Sequence, residues 1–288
     1  MSMFSRLAIV GVGLIGGSIG RAARERGVAG QVVGFVRSQG SADRAQAAGV
    51  VDQVTLDPAS ACQDADLVIF CTPVGSIVAS LENFLPHLSA SALLTDAGST
   101  KTSIVAQADA LLAAQPTGPR FVGSHPLAGD HRTGPEAARA DLLVNRTVVV
   151  TPVEATDHDA QQRVSQFWTA LGANVLEMTP AKHDAALAKA SHLPHVVASV
   201  LAAATPDAAL PLAASGWSDT TRIAAGDPTM WLDIVRDNRA EVLTAARGFS
   251  DHLHDFITAL DQCDWQAVRQ HFEQAKQRRE AADPSVRE

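Results

Sequence analysis

Short apolar runs alternate with helical patterns through the first half of the chain. A continuous apolar run predicts a strand that is buried on both faces, and helices between such strands predict a parallel sheet that they cover. We therefore expect a doubly wound α/β domain. Its strands are predicted at residues 7–10, 32–36, 67–71, 92–95, 121–122, 147–150 and 174–177, and a helix from about residue 157 to 171 is predicted to end at Gly172.

The hydrophobic period changes near residue 178. Thr179-Pro180 is typical of a helix start, with a capping side chain followed by proline at the first helical position. Beyond it, apolar residues recur every three or four positions along one long helix, at Val242, Ala245, Ala246, Phe249, Leu253, Phe256, Ile257 and Leu260, and a last helix carries Trp265, Val268 and Phe272. We predict a sheet domain over residues 1–178 and an all-helical domain over residues 179–288. Such an apolar stripe needs a partner surface, so we expect a homodimer.

Length and charge narrow the possible functions. The chain has 288 residues, which suffices for two domains. Lysine and arginine total 23 against 31 aspartates and glutamates, and the net charge of −8 argues against nucleic acid or an anionic membrane as the partner. The three cysteines have no paired spacing, and neither an export signal nor a spanning segment is recognisable, so we expect a cytoplasmic protein.

A glycine-rich run directly follows the first predicted strand. Gly11, Gly13 and Gly16 form a G-x-G-x-x-G pattern that opens a predicted helix, with Leu14 and Ile15 between the last two glycines. In Rossmann-type domains such glycines permit a tight turn, close approach of a pyrophosphate and packing of helix against strand, and the helix N-terminus binds the phosphates. A glycine-rich turn without a ligand is the alternative. The position between strand and helix favours a dinucleotide cofactor.

The end of the second predicted strand bears on the choice of cofactor. An NAD site usually has an acidic residue there for the ribose 2′-hydroxyl, but this chain has Val36, followed by Arg37 and Ser38. Arg37 and Ser38 suit a 2′-phosphate, which favours NADP over NAD, and the alternative is that Arg37 is an ordinary surface residue. Thr72 and Pro73 follow the next strand and are expected to line the cofactor site, unless they form only a rigid turn.

Two polar segments follow later strands at the same predicted sheet edge. Ser99 lies in the segment 96–101, and His125 lies in the segment 123–129, where Pro126 biases it towards an extended backbone. A neutral histidine with an ordinary pKa of about 6.5 suits the removal of a hydroxyl proton from a hydride donor, and Ser99 is a candidate to orient it. A satisfied buried histidine and a helix-capping serine are the alternatives.

Several motifs occur in order along the chain: Asp96-x-Gly98-Ser99-x-Lys101, Ser124-His125-Pro126-x-Ala128-Gly129, Ser191-His192-Leu193-Pro194-His195 and Asp219-x-Thr221-Arg222-Ile223-Ala224-x-x-Asp227-Pro228-x-Met230-Trp231. With the glycine loop, they make the chain resemble the prephenate/arogenate dehydrogenase family over essentially its whole length. The resemblance implies an NAD(P)-dependent oxidative decarboxylation without a metal. Prephenate would give 4-hydroxyphenylpyruvate and CO₂, or arogenate would give tyrosine and CO₂. It also implies that His125 takes the hydroxyl proton with help from Ser99 while hydride leaves the ring for the nicotinamide.

The same resemblance assigns the substrate-binding groups to the helical domain. Arg222 would bind a carboxylate, His195 would add a donor, and Ser191 would face the same cleft. Asp219 would orient Arg222, and Trp231 would form a wall of the pocket. Without the resemblance, a surface ion pair, a helix-surface histidine and a core tryptophan are the simpler interpretations. His192-x-x-His195 also has metal-ligand spacing, but no third ligand is evident, so we expect no metal.

The segment Asp130-His131-Arg132 departs from the family pattern. Prephenate-using relatives often carry an acidic residue two positions beyond the glycine that corresponds to Gly129. We expect His131 to contact the substrate, and the choice between prephenate, arogenate or both stays open.

Two other functions are alternatives: a different dehydrogenase with the same architecture, and a protein that binds NAD(P) without catalysis. A β-hydroxyacid-type dehydrogenase would use a helical-domain lysine such as Lys182 or Lys189, but it leaves the two histidine motifs without a role. A non-catalytic NAD(P) sensor would not need Ser99, His125, His195 and Arg222 together.

Overall fold

One sheet organises the first part of the molecule. The computed structural model describes residues 2–115, 117–130 and 132–282, and within them eight strands join in the order β3-β2-β1-β4-β5-β6-β7-β8. The strands are β1 (Phe4–Val10), β2 (Ala29–Phe35), β3 (Gln53–Thr55), β4 (Leu67–Phe70), β5 (Leu93–Asp96), β6 (Arg120–Pro126), β7 (Thr147–Thr151) and β8 (Asn174–Glu177).

Helices connect these strands and make up the rest of the described chain. They are α1 (Leu14–Glu25), α2 (Gln39–Ala48), α3 (Pro58–Cys62), α4 (Val74–Phe84), α5 (Thr102–Leu112), α6 (His158–Ala170), α7 (Pro180–Leu187), α8 (Leu193–Ala204), α9 (Ser215–Thr221), α10 (Pro228–Asp237), α11 (Arg239–Asp261) and α12 (Trp265–Ala281). A π-helical segment, Ala188–His192, joins α7 to α8.

The strand order creates a topological switch point beside β1. The chain proceeds outward from β1 to β2 and β3, and then returns so that β4 pairs with the other side of β1. Ligands of open α/β sheets bind outside the carboxyl ends of the strands at such a point. The predicted doubly wound fold is confirmed, and the glycine loop lies at its switch point.

The last two strands depart from the predicted parallel arrangement. β7 pairs antiparallel with β6, and β8 is parallel to β7. A parallel return needs a crossover, usually an α-helix, but the described part of segment 127–146 contains only the 3₁₀ turn Pro135–Ala137. An apolar run has no direction in its composition, so the sequence did not reveal the reversal.

The short strand β3 is absent from the sequence prediction. It has three residues, Gln53–Thr55, and none of them is buried, so it lacks the apolar run by which the other strands were recognised. Its pairing with β2 alone places it at the edge of the sheet.

Burial on both faces of the central strands confirms the interpretation of the apolar runs. All four side chains of β4 are fully buried. Leu67 and Ile69 pack in one hydrophobic cluster, and Val68 and Phe70 pack in the other. The first cluster contains residues of α1 and α6, and the second contains residues of α4 and α5, so helices cover both faces as expected.

The predicted helix starts are confirmed by capping hydrogen bonds. Asp157 caps α6 by accepting the backbone N–H of Ala160 at 2.8 Å. Thr179 caps α7 by accepting the backbone N–H of Lys182 at 3.3 Å, and Pro180 is the first helical residue.

The change from sheet to helices and the division into compact units fall at different places. β8 ends at Glu177 and α7 begins at Pro180, where the sequence predicts the domain boundary, but the first compact unit extends to Arg239. The domain boundary at 178/179 therefore stays a prediction. The second unit begins at Ala240 and holds most of α11 together with α12. Within it, the ring of Phe256 on α11 contacts the ring of Phe272 on α12, with 5.7 Å between their centroids. No helix in the described residues is long and apolar enough to cross a membrane.

Candidate active site

The glycine loop after β1 is built around positions that exclude a side chain. Gly11 has φ +98°, and a Cβ there would lie 2.9 Å from the carbonyl oxygen of Cys71. A Cβ on Gly16 would lie 2.1 Å from the carbonyl oxygen of Gly11. Both positions therefore require glycine, for the turn and for the contact of α1 with the strand edge.

The N-terminus of α1 is open to an anion. Gly13 occupies the cap position without a capping side chain, and no acidic residue lies in the first turn. Apart from its chain neighbours, no atom of the described residues lies within 4 Å of where a Cβ of Gly13 would be. Leu14 and Ile15 begin the helix and are half-buried. Free backbone N–H groups and the helix dipole make such a terminus suitable for a phosphate. The loop therefore fits the pyrophosphate of a dinucleotide.

The neighbouring turn after β4 also contains a buried polar group without a hydrogen-bond partner in the described structure. The hydroxyl oxygen of Thr72 is buried and has no hydrogen-bond partner in the described structure. Pro73 caps α4 without a side-chain hydrogen bond. Because the Cys71–Thr72 backbone lies against Gly11, the two predicted cofactor loops are adjacent.

At the end of β2, Val36 is buried where an acidic residue would bind a ribose. Arg37 is exposed. Ser38 caps α2, and its hydroxyl accepts the backbone N–H of Ser41 at 3.3 Å. Ser38 therefore stabilises the start of α2 in addition to its predicted contact with a cofactor.

His125 lies near the carboxyl end of β6, with 9% of its surface exposed. Burial, followed by the nearby His183, Lys101 and His192, holds the pKa of His125 well below its ordinary value, although Asp184 opposes the shift. The imidazole is therefore neutral near pH 7, as a general base must be.

The partner of His125 differs from the one predicted. Its Nδ1 lies 2.9 Å from Nε2 of His183, and Nδ1 of His183 lies 2.8 Å from a carboxylate oxygen of Asp184. Ser99 is half-buried and makes no hydrogen bond to His125 in the described structure. His183, on α7, thus provides the orienting contact that was expected from Ser99, because α7 packs against the segment that carries Ser99. The catalytic role of Ser99 stays a prediction.

Asp184 anchors that packing. Its carboxylate accepts the backbone N–H groups of Lys101 and Thr102, each at 2.8 Å, at the start of α5. Burial would raise the pKa of Asp184, but the hydrogen bonds from His183, Thr102 and Lys101 bring it below its ordinary value, so it is a carboxylate at neutral pH. Sequence reasoning missed His183 and Asp184 because they belong to no motif and meet the site only through the tertiary fold. The nearest signal was their position one turn after the Thr179-Pro180 helix start.

A buried ion pair lies next to the loop that follows β5. The ammonium of Lys101 contacts the carboxylate of Asp96, and both side chains are fully buried. Asp96 also accepts the backbone N–H of Gly98 at 2.9 Å and that of Ser124 at 3.0 Å. Burial lowers the pKa of Lys101 although Asp96 opposes the shift. These bonds tie the end of β5 to β6, which carries His125.

The helical part of the first unit brings His195 and Trp231 together. Their rings are stacked, with centroids 3.6 Å apart and planes 12° apart. His195 is 7% exposed, its Nδ1 has no hydrogen-bond partner in the described structure, and burial lowers its pKa. Gly226 permits the stack, because a Cβ there would lie 2.7 Å from the indole nitrogen of Trp231. Ser191 is half-buried in the π-helical segment one turn before His195.

Arg222 and Asp219 are not paired as predicted. Both side chains are exposed, and they form no ion pair with each other in the described structure. Arg222 begins the 3₁₀ segment Arg222–Ala225, whereas Asp219 lies on α9, so the backbone changes its helical pitch between them. Asp219 as the partner that orients Arg222 stays a prediction, without support from this geometry.

Three remaining expectations concern residues around this site. His131 lies outside the described residues, and beside it Arg132 and Asp130 form an ion pair at 2.8 Å. His192 lies 3.2 Å from the amide nitrogen of Asn238, and no group of metal-binding side chains is found in the part of the chain that is described. Lys182 and Lys189, the candidates for a β-hydroxyacid dehydrogenase, are both exposed.

Two family models match the chain in succession. The prephenate dehydrogenase nucleotide-binding domain matches residues 19–177, and the prephenate dehydrogenase dimerization domain matches residues 179–274. The chain belongs to the prephenate dehydrogenase family. As a member of this family it is a dehydrogenase with an NAD(P)-binding domain, which favours this function over the two alternatives.

Individual proteins that are similar to this chain have names that match this family assignment. The chain is 34% identical to the prephenate dehydrogenase of Bacillus subtilis (strain 168) over 286 residues, which cover 96% of this chain and 76% of that protein. The crystal structure of prephenate dehydrogenase from A. aeolicus in complex with hydroxyphenyl propionate and NAD+ has a TM-score of 0.89 and 29% identity, covering 97% of this chain and 98% of that one. Synechocystis arogenate dehydrogenase has a TM-score of 0.82 and 32% identity, with 96% and 100% covered.

Proposed function

We propose that this protein catalyses the NAD(P)-dependent oxidative decarboxylation of prephenate, of arogenate or of both. The observation that carries the proposal is His125, a buried and neutral imidazole near the end of a strand at the cofactor edge of the sheet. The similarity to one prephenate and one arogenate dehydrogenase structure supports the substrate class. The products are 4-hydroxyphenylpyruvate or tyrosine, together with CO₂.

In the proposed reaction, His125 controls the proton of the ring hydroxyl. His125 takes this proton while the C–H bond at the same ring carbon breaks. A bound nicotinamide would supply the acceptor for the hydride. The electron pair of the bond to the ring carboxylate then completes the aromatic ring as CO₂ leaves, and His125 returns its proton to the phenolate oxygen. Aromatisation supplies the driving force, so orientation and proton control are the main tasks of the protein.

The predicted cofactor contacts are part of this proposal. Gly11, Gly13, Leu14, Ile15 and Gly16 would hold the pyrophosphate through the loop and the N-terminus of α1, and Thr72 and Pro73 would line the adjacent turn. The exposed Arg37 and the missing acidic residue at Val36 favour NADP over NAD, with Ser38 as a second contact.

The substrate would be held by groups on the helices. We assign carboxylate binding to Arg222 and a further donor to His195, whose Nδ1 is otherwise unpaired. Trp231, stacked on His195, would form a wall of the pocket, and Ser191, Asp219 and His131 are further contacts expected from the family resemblance.

The proposed partner of this chain is a second copy of itself, in the cytoplasm. The apolar stripe of α11 is exposed at Phe249, Leu253, Ile257 and Leu260, and the matching family model is described as a dimerization domain. Three free cysteines suit a reducing compartment.

Initial rates with prephenate or arogenate, each combined with NAD or NADP, test the function and are followed by the absorbance of the reduced nicotinamide. We expect turnover in at least one combination and a higher kcat/KM with NADP. The absence of turnover in all four, from folded protein that binds a cofactor, would overturn the proposal.

A further inference from the structure

Three buried side chains behind the reacting position form a continuous chain of hydrogen bonds. His125 contacts His183, and His183 contacts Asp184, at 2.9 Å and 2.8 Å. His183 is fully buried and Asp184 is 3% exposed. The two imidazole rings are nearly perpendicular, at 68°. No solvent is needed to connect these groups, so the protonation of one nitrogen constrains the next.

The direction of the hydrogen bonds follows from the carboxylate end. An ionised carboxylate only accepts hydrogen bonds, and Asp184 already accepts two backbone N–H groups from the start of α5. Nδ1 of His183 therefore carries a proton and donates a hydrogen bond to Asp184. We take His183 as neutral, so its other nitrogen is an acceptor and Nε2 of His183 accepts Nδ1–H of His125. This leaves Nε2 of His125 unprotonated.

We propose that His183 and Asp184 are positioning residues that hold His125 in the Nδ1-protonated tautomer, with Nε2 free to take the proton of the substrate hydroxyl. The proposal rests on the proposed function, since it concerns the proton that His125 removes. The opposite tautomer would present an N–H to the substrate and could not act as a base.

The same chain stabilises His125 after proton transfer. The substrate O–H bond breaks and an Nε2–H bond forms, so His125 becomes an imidazolium with its positive charge shared towards His183 and Asp184. The other charged or titratable groups facing His125 are Lys101, on the loop after β5, and His192, on the π-helical segment. A cationic Lys101 opposes the imidazolium, and Asp184 is the group that favours it. Without His183, the carboxylate would have no bonded connection to His125.

The tautomer itself can be measured without any substrate. The full-length protein is labelled with ¹⁵N-histidine, and the two ring nitrogens of His125 are assigned by loss of their signals in His125→Asn. We expect a protonated Nδ1 and an unprotonated Nε2 for both His125 and His183 at pH 7.5. An Nε2-protonated His125 in the unmodified protein would overturn the proposal, whatever the enzyme assays show. A failure of the proposed reaction would leave this spectrum unchanged, so the two failures are distinguishable.

Substitutions at His183 test the consequence for turnover. His183→Leu removes the acceptor, and we expect kcat to fall by about 10²-fold, the lower end of what a positioned base contributes. We expect KM to change less than threefold. His183→Gln keeps an acceptor oxygen near the position of Nε2, so we expect it to recover at least tenfold of that loss.

His158→Gln is the control, because it replaces an exposed histidine at the start of α6 and leaves the groups that face His125 in place. It should keep the spectrum of His125. His183→Leu with unchanged kcat and an unchanged His125 tautomer would overturn the proposal. If His183→Leu does not fold, the spectrum of the unmodified protein and the His183→Gln variant still decide it.

Discussion

At the scale of single residues, burial changes the pKa values and the hydrogen bonding of side chains in the candidate site. His125 is kept neutral chiefly because it is buried, with further contributions from His183, Lys101 and His192. His195 is buried against Trp231, and its Nδ1 is left without a hydrogen-bond partner in the described structure. An unpaired buried nitrogen costs free energy of folding unless a ligand satisfies it. That cost supports the proposed assignment of His195 to substrate binding.

Replacing His125 by asparagine tests the general base. Asparagine keeps a polar group of similar reach but cannot take a proton at neutral pH. We expect His125→Asn to lower kcat by about 10²- to 10⁴-fold, the usual contribution of a general base, with little change in cofactor affinity. Steady-state rates and a fluorescence titration with reduced nicotinamide measure the two quantities. His158→Asn, at an exposed histidine at the start of α6, serves as the control. Near-native turnover of His125→Asn would contradict the assignment.

Arg222 is expected to act on binding rather than on chemistry. Its guanidinium is exposed and free of any ion pair with Asp219, so it is available to a carboxylate. Because this contact holds the substrate before and during reaction, Arg222→Ala should raise KM by about tenfold or more and change kcat little. Arg236→Ala, at an exposed arginine of α10, is the matched control. An unchanged KM in Arg222→Ala would reject the anchor.

At the scale of elements, the candidate active site consists of helix starts and strand ends that pack against one another. The start of α1 is left uncapped where a phosphate is expected, whereas the start of α5 is capped by Asp184 from α7. The difference bears on ligand binding, because Asp184 already occupies two backbone N–H groups at the start of α5, whereas no side chain caps the start of α1. Asp96, at the end of β5, accepts hydrogen bonds from both the following loop and β6. Asp184 on α7 and Asp96 at the end of β5 therefore hold the loop that carries Ser99 and the strand that carries His125.

The glycine loop provides a test at this scale. A Cβ on Gly16 would lie 2.1 Å from the carbonyl oxygen of Gly11, so Gly16→Ala must displace either α1 or the loop. We expect the dissociation constant for the cofactor to rise by at least tenfold, while far-ultraviolet circular dichroism stays unchanged. Gly40→Ala is the control, because Gly40 lies inside α2 and, apart from its chain neighbours and its own helix backbone, no described atom lies within 4 Å of its Cβ position. Alanine there should stabilise the protein by up to about 1 kcal/mol. Unchanged cofactor affinity in Gly16→Ala would contradict the assigned role.

At the scale of the whole molecule, apolar surface on the helices is left without a partner. In the second unit, Phe249, Leu253, Ile257 and Leu260 are between 40% and 51% exposed, at the three- and four-residue spacing of one helix face. A contiguous apolar face of this kind marks an interface, and symmetric dimers bury the same patch from both copies. This stripe was the feature of the sequence that predicted a homodimer.

Light scattering of the full-length protein at micromolar concentration tests this prediction. We expect about twice the chain mass of 30.2 kDa. Leu253→Glu places a charge in the middle of the stripe and should raise the dimer dissociation constant by at least tenfold. Gln277→Glu adds the same charge to an exposed position of α12 and should leave the mass unchanged. A monomeric mass for the unsubstituted protein would reject the homodimer.

The sequence by itself determined the features whose physical cause is local. Apolar runs predicted most strands, and Thr179-Pro180 predicted a helix start, because burial and capping depend on nearby residues. The glycine loop and His125 were recognisable for the same reason. Tertiary structure decided the antiparallel direction of β7 and the hydrogen bond of His125 with His183 rather than with Ser99. Those outcomes depend on which distant elements pack together, and neither composition nor spacing along the chain records that packing.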